Sequence, residues 1–196
     1  RVIGKYSNLM SNKETTLKEK FKLVLTSTAK VISDDFDLNI KSSDKKKQKE
    51  PNTIEIEDLN NQSDFMRLRA ETDSAALKKK FSNESIYRKN LPSNSSSRSL
   101  YNIAEKIRYE VLGGKMLKGI EKNFNENYAQ IINRKRKDQL KTKEDVPVAE
   151  AFELYMLKNF HQIKLSPLTS KMLNFWEKDF EQSIEKHKKF LQENME

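Results

Sequence analysis

Cysteine is absent from these 196 residues, histidine occurs twice, and glycine and proline occur four times each. Each scarcity closes a class of chemistry. Without cysteine there is no disulfide, no thiolate metal site and no thiol nucleophile. With only four glycines, and no G-x-x-x-x-G-K-(Ser/Thr) run among them, a phosphate-cradling P-loop cannot be assembled. The two histidines, His161 and His187, have no carboxylates at metal-ligand spacing, and H-E-x-x-H is missing. No stretch approaches the roughly 18 consecutive apolar residues of a membrane helix. The opening RVIGKYSNLMSNK has no apolar core of signal-peptide length. Lack of cysteine is compatible with the cytoplasm, which is the expected location.

What is present is charge. Charged residues make up 34% of the chain and hydrophobic ones 35%, with a net charge of +9, so the expected core is modest and the surface heavily solvated. A basic excess raises a nucleic-acid reading. It is concentrated in lysine, alongside abundant Asn and Ile, the signature of an AT-rich coding sequence. The two basic runs are Lys45–Lys47 with Lys49, and Arg134–Lys137. Neither is interleaved with the aromatics of a single-strand stacking platform. The acidic groups Asp34, Asp35 and Asp37, and Glu55 with Glu57, read as solvated side chains, since hard cations want about six converging oxygens.

The most informative stretch is EKIRYEVLGGKMLKGIEKNF, Glu105 to Phe124. Wound as a helix at about 100° per residue, it places Glu105, Arg108, Leu112, Met116, Gly119 and Asn123 on one stripe, with Leu100, Ile103, Ile107 and Val111 opposite. Demanding residues on two faces predict a central helix carrying a buried Glu105–Arg108 pair. Gly119 predicts close approach of another backbone or a partner, since glycine costs roughly 1 kcal/mol of helix propensity against Ala.

The same residues carry a family resemblance. The pattern Glu105, Arg108, Glu110, Leu112, Gly113, Gly119 and Asn123 is similar to E-x-x-R-x-E-x-(Leu/Ile)-G-x-x-x-x-x-G-x-x-x-N in the N-terminal region of CobT, a subunit of the ATP-dependent, aerobic-pathway cobaltochelatase. Phe21 to Ile40, Asp64 to Phe81, Pro147 to Phe160 and Pro167 to Ile184 resemble its other segments in order, including K-M-x-x-x-W at Lys171, Met172 and Trp176. Where the family is expected to have His-Asp, this chain has Thr72-Asp73, so no role of that histidine carries over. The resemblance implies structural or interface roles for Glu105, Arg108, Glu110, Gly113, Gly119, Asn123, Asp73 and Trp176. It implies no catalytic, cofactor or metal residue in this region. It also implies a following acidic tract and a von Willebrand A domain bearing D-x-S-x-S. That motif is absent here, and the chain opens on Arg, as expected of a fragment.

Along the chain, apolar spacing predicts a helix over 15–33, from Leu17, Phe21, Val24, Leu25, Thr28, Val31 and Ile32, with Thr15 or Thr16 as cap. Alternation at Phe36, Leu38 and Ile40, then Ile54 and Ile56, predicts a β-hairpin over 36–57 with a Lys-rich tip. A helix over 63–81, a Ser/Asn linker over 90–99 and a long helical region over 99–136 follow. Gly113-Gly114 is the candidate bend in that region and Asn123–Asn127 the candidate break. Helices over 147–160 and 166–190 complete the chain, Ser166 capping the last with Pro167 at its first position, and residues 185–196 turning polar. Arg67, Arg69, Glu71 and Asp73 are candidates for one charged network with Glu105 and Arg108.

The expectation is a mainly α single domain, a helical bundle around a long central helix with a small hairpin. By resemblance it is a non-catalytic assembly module that meets an AAA+ ATPase subunit (CobS-like) and a large chelatase subunit (CobN-like), with a homo-oligomeric ring as a further possibility. The complex uses ATP, Mg²⁺ and Co²⁺ to metallate hydrogenobyrinic acid a,c-diamide in cobalamin biosynthesis. The fragment itself is expected to hold no cofactor and to meet no membrane. A basic helical nucleic-acid-binding domain is the competing class.

Overall fold

The computed structural model describes residues 2–42, 52–56, 62–134 and 140–194. Among these the elements run α1 (Val2–Ser33), β1 (Asn39–Ser42), β2 (Thr53–Ile56), α2 (Gln62–Phe81), α3 (Glu84–Asn90), α4 (Ser95–Met116) and α5 (Lys118–Arg134). A single 3-10 turn (Lys143–Asp145) precedes α6 (Val148–Phe160), α7 (Pro167–Asn174) and α8 (Glu177–Asn194). The fold is mainly α with a minor two-stranded sheet, as the spacing predicts. Two compact units divide it, residues 1–76 and 77–196, and α2 contributes to both. No described helix is long and apolar enough to cross a membrane.

In the first unit, Leu25, Ala29 and Ile32 form the buried face of α1, and α1 packs on β1. Phe21 meets Phe65 of α2 edge-on at 4.5 Å. The helix begins well before the expected cap at Thr15 or Thr16. It ends where Asp34 takes φ 55°, a left-handed conformation that Asp tolerates better than most residues. The strands differ from expectation in direction. β1 and β2 pair parallel, Ile40 beside Ile54 and Ser42 beside Ile56, so they are not a hairpin. Period-two alternation tells which side chains go inward, and Leu38, Ile40, Ile54 and Ile56 are indeed buried. It carries no information on strand direction. The ten residues 43–52 can span about 33 Å, ample to return along strands of four residues. Phe36 lies before β1 and is 72% exposed, not part of the inward set. The Lys45–Lys49 tip lies outside the described residues, as do Glu57 and Lys135–Lys137.

In the second unit the expected linker shrinks to four residues. Asn94 accepts hydrogen bonds from the Ser96 and Ser97 amides, so the serine run opens α4 instead of preceding it. An unexpected short helix, α3, is capped the same way by Asn83. The long helical region does break, but at neither expected place. Leu117 is extended (φ −139°, ψ 105°) and separates α4 from α5. Gly113 and Gly114 stay helical, and what they supply is space. A Cβ on Gly113 would stand 2.3 Å from Leu77 Cδ1, and one on Gly114 3.2 Å from Glu121 Cβ. Their bare backbones let α2 and the start of α5 pass close to α4.

The most enclosed helix is α6, with Ala151, Phe152, Leu154, Tyr155, Met156 and Leu157 all buried. It packs against α4, α7 and α8. Pro147 is its N-cap, and Asp145 just before it accepts from the Lys141 and Thr142 amides. Ser166 caps α7 as expected, with Pro167 at the first turn. The last predicted helix is two, parted at Phe175-Trp176, and α8 continues through the polar segment to Asn194.

The two glycines of the motif should respond oppositely to alanine. Leu77 is fully buried and has little room to yield, so Gly113→Ala is expected to destabilise by about 1–3 kcal/mol. A Cβ on Gly119 would meet no atom within 4 Å beyond its chain neighbours and its own helix backbone, so Gly119→Ala should stabilise, by up to about 1 kcal/mol. Urea unfolding of both variants checks this; equal shifts would refute the packing role.

Candidate functional site

Helix α4 carries two charged constellations on different faces. The first is the expected pair, half-buried where a buried one was expected: 16% of the Glu105 side chain and 35% of the Arg108 side chain are exposed. Arg108 donates from Nε to Glu105 Oε2 and from Nη2 to Glu105 Oε1, each at 2.8 Å. Its Nη2 also donates to the Phe81 carbonyl at 2.8 Å, and the Ser82 hydroxyl donates to Glu105 Oε1 at 2.6 Å. Phe81 ends α2, so Arg108 satisfies a helix-terminal carbonyl that lacks an intrahelical donor. A cation is favourable there for the macrodipole too. Burial works to raise the Glu105 carboxyl, but the hydrogen bonds from Arg108 and Ser82 and the guanidinium charge outweigh it, leaving it below the ordinary range. Hydrogen bonding to Glu105 in turn raises Arg108, against the opposing effect of burial.

The second constellation is one that sequence spacing could not show. Glu110 has 1% of its side chain exposed, and Tyr128 of α5 donates to its Oε2 at 2.6 Å. His161, at the end of α6, brings Nε2 to 3.5 Å from the same oxygen. That nitrogen is buried and makes no hydrogen bond among the described residues. Lys106 Nζ lies 4.0 Å from Glu110 Oε1 and 5.3 Å from the Tyr128 ring centre. Phe124 and Tyr128, one turn apart on α5, flank the imidazole at 6.0 and 5.5 Å. Burial, followed by the charge and hydrogen bond of Glu110, pushes the Tyr128 phenol well above its usual value. Gln162 (φ 55°) turns the chain after α6, and Ile163 donates back to the Leu157 carbonyl. The sequence signal of this cluster was Glu110 in the family-like pattern; the i, i+4 spacing of Phe124 and Tyr128, both buried, is a second signal that went unread.

The other predicted residues disperse. Gly119 is exposed in the first turn of α5, and Asn123 is half-buried further along that helix. The stripe through Glu105 therefore ends with α4, where Met116 is 41% exposed. Asp73 is buried in α2, with Arg69 Nε 3.9 Å from its Oδ2, while Arg67 pairs with Glu71 at 3.0 Å. Thr72, at the expected histidine position, is fully buried. Trp176 donates from its indole to the Val146 carbonyl at 3.0 Å, stacks on Phe180 and receives Lys143 over its ring at 4.2 Å. His187 is exposed on α8. Among the described residues no three His, Asp or Glu side chains converge as a metal site.

The Arg108, Tyr128 and Trp176 hydrogen bonds each join one helix to another segment of the chain, which defines a packed helical scaffold. A family model described as cobalamin biosynthesis protein CobT matches residues 15–196, so the chain belongs to that family and to cobalamin biosynthesis. Neither a curated protein nor a solved structure matches it.

Two variants test the constellations. The depressed Glu105 carboxyl contributes stability fully above the ordinary glutamate value, about pH 4.3, and loses it as pH falls through the lower folded value. The advantage of wild type over Glu105→Gln, read from urea midpoints, should therefore shrink below that pH; a gap independent of pH would contradict it. Tyr128→Phe leaves Glu110 Oε2 buried without its phenol donor, and a loss of about 1–3 kcal/mol is expected. An unchanged midpoint would mean that the bond contributes nothing.

Proposed function

We infer that this chain is a non-catalytic N-terminal module of a cobaltochelatase subunit. It supports assembly with an AAA+ ATPase subunit (CobS-like) and a large chelatase subunit (CobN-like) in the cytoplasm. That complex drives Co²⁺ insertion into hydrogenobyrinic acid a,c-diamide with ATP and Mg²⁺, and the metal ion is its substrate. The observation that carries the reading is the family match over residues 15–196. The scaffold adds support. Glu105, Arg108 and Glu110, the charged residues of the family-like pattern, are engaged in tying α4 to its neighbours.

The test is recovery of the ATPase subunit on the cobaltochelatase protein with and without residues 1–196. Loss of recovery on deletion is expected. Equal recovery would remove the assembly role.

A further inference from the structure

One residue separates α4 from α5. Leu117 alone leaves the helical region (φ −139°, ψ 105°), and the residues on either side of it are helical. Hydrogen bonding nearly carries through. The Leu117 amide donates to the Gly113 carbonyl, and the Leu117 carbonyl accepts from the Ile120 and Glu121 amides. Nothing local demands the break. Lys115, Met116, Leu117 and Lys118 are all good helix formers, and no proline lies between Pro92 and Pro147. None of Gly113, Gly114 and Gly119 takes a positive φ. Packing imposes the bend instead: α5 turns back along α4, where Tyr128 reaches Glu110 and Lys106 lies over the Tyr128 ring. Local preference and tertiary packing disagree at Leu117.

Two features of this corner have no explanation within one copy. Met116 and Leu117 are apolar yet 41% and 43% exposed. Gly119 serves neither a left-handed backbone nor a close contact. Both features fit a straightened hinge. With Leu117 helical, residues 95–134 become one helix about 60 Å long. Glu110 and Tyr128 then stand about 27 Å apart in one chain. Their bond closes only on a second copy, which offers the same α4 and makes the same exchange. About the two-fold axis the hinges pass antiparallel, so Met116 and Leu117 of each copy meet those of the other. Gly119 is the second residue of α5 when the hinge is bent and an interior residue when it is straight, where glycine costs a helix most. It acts as a brake on straightening.

We propose that Leu117 is an exchange hinge, through which two copies of this chain trade the segment from Lys118 onward and close into a dimer. The packing of α5 and α6 on α4 is remade on the second copy, so the dimer has no shortage of buried surface. The two states differ at the hinge and in the contact around it, against the entropy lost on association. Lys115 and Lys118 approach their counterparts there, a repulsion that salt screens. This pairing is independent of the assembly role.

Because the chain has no cysteine, Ser99→Cys with Glu126→Cys provides two unique spin-label sites, both exposed and one on each side of the hinge. The doubly labelled chain is mixed with excess unlabelled chain, unfolded in urea, refolded at about 1 mM in about 300 mM salt, and separated by gel filtration. The dimer should show an intrachain distance of about 40 Å, the span from 99 to 126 along one continuous helix. The monomer should show a clearly shorter one. Leu117→Gly should weaken the dimer about tenfold, both hinges contributing, and Gly119→Ala should strengthen it several-fold. Absence of a dimer from both the unaltered chain and Gly119→Ala would overturn the proposal. So would a dimer that keeps the monomer's short distance, or one whose strength ignores both hinge substitutions.

Discussion

A carboxylate removed from water must find donors inside the protein, and Glu110 is that carboxylate. Leaving it unpaired would cost several kcal/mol in effective desolvation. The phenol of Tyr128 meets one oxygen at 2.6 Å, with Lys106 and His161 close by. Meeting that demand sets α5 and the end of α6 against α4, and α6 in turn packs against α7 and α8. The second unit is thus organised round one buried acid on the helix that the sequence marks as central.

Size complements charge on the same helix. Gly113 admits Leu77, Gly114 admits Glu121, and Arg108 closes the last carbonyl of α2 from the neighbouring face. Contacts of this kind select a geometry more than they add strength, because each charged member gives up solvation to be there. They account for a family-like motif rich in Glu, Arg and Gly within a chain whose pattern suggests no catalytic group. The motif describes how helices meet.

Elsewhere in the second unit, other polar contacts act as local ties. Trp176 anchors the segment before α6 to the α7–α8 turn, and Lys158 reaches Glu177 across the α6–α8 contact. Leu17, Val24 and Val31 of α1 are of another kind, apolar groups that their own unit leaves exposed. A helix with two apolar faces is read as buried when only periodicity is considered. Here one face is covered and the other is open.

Taken alone, the residues determined the mainly helical class, most of the helices, the Ser166 cap, the inward faces of both strands, the Glu105–Arg108 pair and the family. These are local properties, set by 3.6- and 2-residue periods, by Ser166 and Pro167 at a helix start, and by i, i+3 reach. Strand direction, the break at Leu117, the open surroundings of Gly119 and the meeting of Glu110 with Tyr128 and His161 came only with the tertiary structure. Each depends on which distant segment arrives beside a residue, 18 positions away for Tyr128 and 51 for His161. Hydrophobic spacing says that a face will be buried and is silent on what will bury it.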